Sequence, residues 1–433
     1  MSHRIVFLVS AALMFAATTA ATAQTPQPPL GADKWSEDLK FFTDKFSASG
    51  IQLTRGIATR GAKDLDKLYP TFKPDVTALN ADIPNLSEQE IVLRLMRIVA
   101  SANVAHNSVH IPINMGFFRR LPISLFWYAD GLAVIEASKD HADAIGARVL
   151  RIGTMTPDDA IAAVAPYVSH ENDIGLHMSA PDLLVRRAMV EHLKLLDSSG
   201  RVPFILQKPG GEPFSLAIPV DDPRVPRIGI ADVQHIAAPL FLTQPSSLYW
   251  YRYLPESQTF YIQYNRCQND PKRPFAEFVR EAITEADTKA AAHAIKRVVL
   301  DLRMNGGGDS RVIAPLKSAL ASRSKTLGPV YVLIGPFTFS SAQMAAVEFQ
   351  DGLHATLVGA PTSEKLNSYG DIDIVSLPNS KLNISFSTKF FRLAKEGDRP
   401  ELDPAILAPL TLADAIAGRD AALEAAISDP GRR

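Results

Sequence analysis

The chain has 433 residues, 46% of them hydrophobic and 21% charged, with a formal net charge of −1. That is enough apolar material for roughly two or three domains, and a balanced charge without a long basic run excludes a nucleic-acid surface. Cys267 is the single cysteine, which excludes an internal disulfide and a cysteine-based metal cluster.

Residues 1–23 combine a short basic start, an apolar run and Ala21-Thr22-Ala23, a small-x-small cleavage pattern. They read as a signal peptide, so the expected location is periplasmic or secreted. No cysteine follows the cleavage point, which argues against a lipid anchor, and no later stretch is apolar for long enough to span a bilayer. Residues 24–120 read as an N-terminal helical region. Trp35, Leu39, Phe42 and Phe46 recur at helical period, residues 63–68 suggest a short helix, and Ser87 with Glu90 forms a capping box for a helix through Ala100. That helix runs into SANVAHNSVHIPI. Taken alone, His106 there reads as a loop histidine bonded to backbone, and His110 as part of a short strand.

The pattern changes over residues 121–215. Two short strands, a Gly-bearing turn, a strand ending at Ile152-Gly153 and a helix start at Thr156-Pro157 follow one another. Residues 181–196 read as a helix begun at its proline, residues 200–218 alternate as strand, and residues 221–226 form a charged, Pro-rich linker. Residues 216–433 form the last unit. In it, residues 249–264 read as a hairpin turning at Pro255-Glu256-Ser257-Gln258, and residues 274–294 as a long helix. Cys267, in YNRCQND with no histidine beside it, reads as a passive buried thiol.

Residues 298–362 carry the chemistry. Three apolar runs, each ending in a polar or Gly-rich segment, alternate with helix-forming sequence and predict β-α-β-α-β with loops gathered at the strands' carboxyl ends. Asn305-Gly306-Gly307-Gly308 makes a turn whose bare amides suit an anionic oxygen. Thr338-Phe339-Ser340-Ser341 places a hydroxyl at a helix start, among free N–H groups. A hydroxyl opposite a Gly-rich anion-binding turn is the minimum equipment for acyl transfer. Either serine would also serve simply as a helix cap, and Asp301 with Arg303 reads as a structural pair. Two strands joined at Pro378-Asn379-Ser380 and a final helix over 411–427 close the chain.

The ordered motifs DLRMNGGG, TFSSAQ, GAPTSEK and SLPNSKL resemble the catalytic core of the S41 serine peptidases: the carboxyl-terminal processing and tricorn-type proteases and the retinoid-binding-protein-like domains. The resemblance implies an α/β and α+β multidomain fold with a ClpP/crotonase-like catalytic core at 216–433. It also implies a PDZ-like module, carried by GARVLRIGTMTPDDAI, within 121–215. The function it implies is a periplasmic or secreted serine peptidase that acts on peptide or protein substrates. Ser340 would be the nucleophile, with the amides of Gly307, Gly308 and Ser341 as oxyanion hole.

Two bases fit. His106 stands where the tricorn-type branch has its histidine, although Asn103-Val104-Ala105 and Asn107 replace the usual Asp-Gly and Thr. Lys365 stands where the processing branch has its lysine, but with Glu364 adjacent and Tyr369 in place of a supporting Gln. His106 is the expected base and Lys365 the alternative. Asp398, Glu401 or Asp403 would supply the acid. A non-catalytic peptide- or ligand-binding protein and a non-peptide esterase are the competing functions on the same scaffold. No phosphate-loop ending, dinucleotide fingerprint or metal motif occurs, so no cofactor is expected.

Overall fold

The computed structural model describes residues 29–56, 71–112, 115–220 and 226–431. The expected signal peptide, the 63–68 helix and nearly all of the 221–226 linker lie outside the described residues. Helices Ala32–Gly56, Phe72–Asp82 and Glu88–Ala100 lead into a short strand, β1 (Ser108–His110). The third helix opens on its capping box, with the Glu90 amide donating to Ser87 Oγ and the Ser87 amide to Glu90. Such a cap is worth about 1 kcal/mol.

Strands β2 (Ile123–Tyr128), β3 (Gly131–Ser138), β4 (Arg148–Ile152), β5 (Arg201–Gln207) and β6 (Pro213–Pro219) form an antiparallel sheet in that order. A further strand, β7 (Arg227–Gly229), pairs with β3. Helix Pro157–Val164, opened by a Thr156–Asp159 capping box, follows β4 as expected. The helix expected to begin at Pro181 begins earlier. Asn172 accepts from the Gly175 amide and starts Asp173–Leu183, so Pro181 falls in its last turn. A proline there removes an intrahelical bond, and the chain breaks before resuming as Arg187–His192.

The third layer positions the site. β8 (Tyr249–Leu254) and β9 (Thr259–Tyr264) make the expected hairpin. β10 (Arg297–Asp301), β11 (Val330–Ile334) and β12 (Thr356–Gly359) extend it in parallel register. Both faces of this sheet are covered, which is why β10 and β11 read as continuous apolar runs. Val298, Leu300, Val330 and Val332 enter one core; Val299, Tyr331 and Leu333 enter the opposite one. Helices Phe275–Ala291, Ala314–Ala321 and Ser341–Leu353 link successive strands, so the loops after β10, β11 and β12 meet on one rim.

β13 (Asn367–Ser376) and β14 (Asn383–Arg392) form the second expected hairpin, and β1 pairs with β14. The turn of this hairpin is pinned to the first helix. Buried Asp38 accepts from the amides of Asn379 and Ser380, each at 2.8 Å, and Leu382, Ile384 and Phe386 share a core with Trp35, Leu39 and Phe42. β15 (Ile406–Leu407) completes the parallel sheet beside β12.

The single final helix expected over 411–427 is two, Leu412–Ala417 and Ala421–Ser428. Gly418 turns left-handed at φ 67°, and the Asp420 side chain caps the second helix. Among the described residues, no helix is long and apolar enough to cross a membrane.

Candidate active site

The loop after β10 is built around Asn305, whose side chain is buried. Its Nδ2 donates to the Tyr264 carbonyl at 2.8 Å, and its Oδ1 accepts from the Gly307 amide at 2.9 Å. The Cys267 amide donates to the Gly307 carbonyl at 3.0 Å, and the Asp309 amide to the Cys267 carbonyl at 2.7 Å. These bonds hold Gly307 and Gly308 at φ 99° and 133°, a region favouring glycine. There is no room for a side chain either. A Cβ on Gly307 would lie 2.8 Å from Ser340 Cβ, and one on Gly308 would lie 2.4 Å from the Cys267 carbonyl oxygen. Cys267 itself is buried, and burial pushes its thiol up to about 12, in keeping with a passive thiol.

The loop after β11 delivers the serines. Buried Thr338 donates to the Leu302 carbonyl and accepts from the Gly335 amide, each at 3.0 Å, and the Phe339 amide donates to the Asn305 carbonyl at 3.1 Å. The turn is thereby fastened to the Gly-rich loop. Ser340 sits at φ 55°, ψ −125°, and its hydroxyl makes no cap to helix Ser341–Leu353. A non-glycine residue in such a region costs about 1–3 kcal/mol and persists only when its surroundings over-determine it. Ser341 does something different. Its Oγ donates to the Gly308 carbonyl at 2.5 Å, tying the helix start to the Gly-rich loop. The Gly307 amide is engaged by Asn305, whereas the Gly308 and Ser341 amides meet no acceptor among the described residues. Those two amides lie in the two segments that the Ser341–Gly308 bond holds together.

His106 is 5% exposed, and its ring lies 4.4 Å from that of Phe339, the residue before Ser340. On its other side the ring packs on β13, close enough that a Cβ on Gly370 would lie 3.5 Å from Nε2. Its loop is pinned by the Ser387 amide donating to Asn107 Oδ1 at 2.9 Å and by Ser385 Oγ donating to the His106 carbonyl at 3.2 Å. Burial pushes the imidazole down to about 4, against a smaller upward effect of the Tyr369 backbone. It is therefore neutral near pH 7.

The carboxylate facing His106 is Glu364, with Oε1 3.5 Å from Nδ1, ion-pair range but longer than a hydrogen bond. Oε1 also accepts from Ser368 Oγ at 2.7 Å, while Oε2 accepts from the Ser340 amide at 2.6 Å. Burial, then the nearby charge of Glu171, pushes Glu364 up to about 8, although the bonds from Ser368 and Ser340 oppose this. Buried Gln343 supports the Glu364 loop from below. Its Nε2 donates to the Lys365 carbonyl at 3.0 Å and its Oε1 accepts from Thr362 Oγ1.

The structure thus brings together Ser340, His106, Gly307, Gly308 and Ser341 from distant parts of the sequence. Lys365 is half-buried beside Glu171, with which its charge interacts. Asp398 and Asp403 are exposed, and Arg399 pairs with Asp403 at 3.2 Å. Burial, then Asp403, raises the Glu401 carboxyl. None of these three acids contacts His106 among the described residues; Glu364 occupies that position. His110 bonds to Ser108 and Ser385 hydroxyls within the β1–β14 pair, as a strand residue. Asp301 and Arg303 pair at 2.5 Å as expected, and Arg303 also reaches Asp420 at 2.7 Å. An apolar cavity of about 220 Å³ lies nearby, but Ser340, His106 and Glu364 are not among its lining residues.

The chain superposes on mature CPAF complexed with lactacystin with a TM-score of 0.58 at 13% identity, over 89% of this chain and 96% of that one. It superposes on the crystal structure of mature CPAF with a TM-score of 0.57 at 14% identity, over 89% and 94%. The photosystem II D1 C-terminal processing protease matches more loosely, with a TM-score of 0.36 at 12% identity over 86% and 98%. No protein-family model and no curated protein matches the sequence. Across most of its length, the chain shares the mixed α/β, several-sheet fold of the two CPAF structures.

Proposed function

We propose that a chain with this fold and this rim is a serine hydrolase, and most plainly a peptidase that works through an acyl-enzyme. Ser340 Oγ attacks the scissile carbonyl carbon while His106 takes its proton. The carbonyl oxygen becomes an oxyanion and is met by the Gly308 and Ser341 amides; one such donor is typically worth about 3–4 kcal/mol in the transition state. The proton then passes from His106 to the leaving amine and the C–N bond breaks. Water, deprotonated by the same imidazole, attacks the ester and releases the acid product with Ser340 restored. Glu364, when ionised, orients the imidazole and stabilises the imidazolium.

The observation that carries this reading is Ser340 itself. It holds a costly backbone conformation at a helix start, presses against Gly307, and is joined through Glu364 to the one buried histidine beside it. A serine that merely capped a helix would need none of this. His106 is favoured over Lys365 as base because its ring packs on Phe339, whereas the Lys365 charge is offset by Glu171. A peptide as substrate rests on the sequence motifs, and β13 is a terminal strand of its sheet among the described residues, the kind of strand to which an extended backbone can add. A periplasmic or secreted location rests on residues 1–23.

The test is labelling of the purified mature protein by a fluorophosphonate probe. Wild type and Lys365→Ala are expected to label, Ser340→Ala to lose labelling and His106→Ala to lose most of it. Equal labelling of all four, or of none, overturns the reading; loss in Lys365→Ala with retention in His106→Ala moves the base to Lys365.

A further inference from the structure

One half-buried side chain touches both halves of this constellation and has no part in the mechanism above. Glu171 lies in the loop before helix Asp173–Leu183, far in sequence from either loop of the rim. Its Oε1 accepts from the amide of Ala105, the residue before His106, at 3.3 Å. Its Oε2 accepts from the amide of Lys365, the residue after Glu364, at 3.1 Å. The two amides lie just before β1 and just before β13, strands that meet only through β14.

The neighbouring residues continue the contact. Asn172 Nδ2 donates to the Thr362 carbonyl at 3.1 Å and to the Pro400 carbonyl at 2.7 Å, and a Cβ on Gly175 would lie 2.9 Å from the Ser363 carbonyl oxygen. The 171–175 segment is therefore packed directly on the loop that carries Glu364.

We propose that Glu171 is a positioning residue: its carboxylate clasps the backbones flanking His106 and Glu364 and so sets the separation of these two side chains. This rests on the hydrolase reading above. The chemistry needs such a clasp because His106 and Glu364 stand 3.5 Å apart without a hydrogen bond of their own, on loops that run into β1 and β13, strands that flank β14 and do not pair with each other. Misplacement of a reacting group by about 1 Å costs on the order of 100-fold in rate. The clasp also acts electrostatically. The groups facing Glu171 are Glu364, Lys365 and Asp398, and its negative charge makes Glu364 harder to ionise.

The experiment compares wild type, Glu171→Ala and Glu171→Gln. Fluorophosphonate labelling is followed to saturation across a pH series, and backbone hydrogen exchange is measured over the peptides holding Ala105 and Lys365. Glu171→Ala is expected to lower the maximal labelling rate about 100-fold, with little change in the half-saturating probe concentration. Exchange at both amides should quicken. Glu171→Gln keeps one acceptor oxygen and sets an NH2 group against the other amide, so it should recover only part of the rate and quicken exchange at one of the two amides. Its rise in labelling with pH should begin lower, because Glu364 then ionises without a neighbouring negative charge.

Unchanged exchange at Ala105 and Lys365 in Glu171→Ala overturns the proposal. So does an equal loss of labelling in both variants with the pH dependence unmoved, which is what a merely structural residue would give. If wild type itself fails to label, the hydrolase reading falls, and the exchange measurement still decides whether Glu171 is the clasp.

Discussion

Glu364 binds the backbone amide of Ser340 at 2.6 Å, so the carboxylate that faces the candidate base also fixes the backbone of the candidate nucleophile. The two functions should fail together. Glu364→Gln leaves an acceptor for the Ser340 amide but no charge for an imidazolium, and is expected to lower probe labelling about 100-fold or more. Glu364→Ala removes both and should label more slowly still. Equal rates in the two variants would show that the Ser340 bond contributes nothing.

The same carboxyl makes stability depend on pH. Burial raises it from 4.5 in the unfolded chain to about 8 in the fold, so the native state favours its protonated form. Its contribution is therefore fully present below pH 4.5 and is lost as pH rises towards 8, at a cost on the order of a few kcal/mol. Glu364→Gln escapes that cost. Its Tm relative to wild type is expected to climb between about pH 5 and pH 9, and a flat difference across that range would contradict the assignment.

His106 has the opposite sign. Burial lowers it from 6.5 to about 4, so the fold favours the neutral ring and loses stability as pH falls through that window. Replacement by a ring that cannot take a proton, His106→Phe, should flatten the acid side of the Tm profile while abolishing labelling.

Gly307→Ala is expected to inactivate. The new methyl would meet Ser340 Cβ at 2.8 Å, and the backbone would be strained at φ 99°. The strain alone costs about 1–3 kcal/mol. Gly306→Ala is the control, since a Cβ there meets nothing within 4 Å. It should label at nearly the wild-type rate.

Arg303 is held between Asp301 and Asp420 and stacks on Phe241 with its guanidinium 4.2 Å from the ring centre. Asp420→Ala strands part of that buried charge and uncaps the last helix. A loss of about 3–5 kcal/mol, read by denaturant unfolding, is expected. Asp403→Ala, at an exposed pair, should change stability by less than about 1 kcal/mol.

What could be read in the sequence was local. The NGGG turn, the TFSSA helix start, both hairpins and the Ser87 capping box each announce themselves within a few residues, and each is present. In sequence Glu364 reads as merely the neighbour of Lys365, because its character comes from His106 and Glu171, neither of which is near it in the chain. Asp398, Glu401 and Asp403 stand out by resemblance, yet none of them reaches His106 among the described residues: Asp398 and Asp403 are exposed and Glu401 is half-buried. The helix start at Asn172 and the break at Gly418 are hidden for a related reason: in each case a side-chain cap, from Asn172 or Asp420, decides where the helix begins.

The bond between Arg303 and Asp420 ties together two segments 117 residues apart. Arg303 follows β10 just before the Asn305 loop, and Asp420 caps helix Ala421–Ser428. Whatever frees that helix also loosens the foot of the Gly-rich loop, so local opening at either segment should register at the other as a single cooperative event.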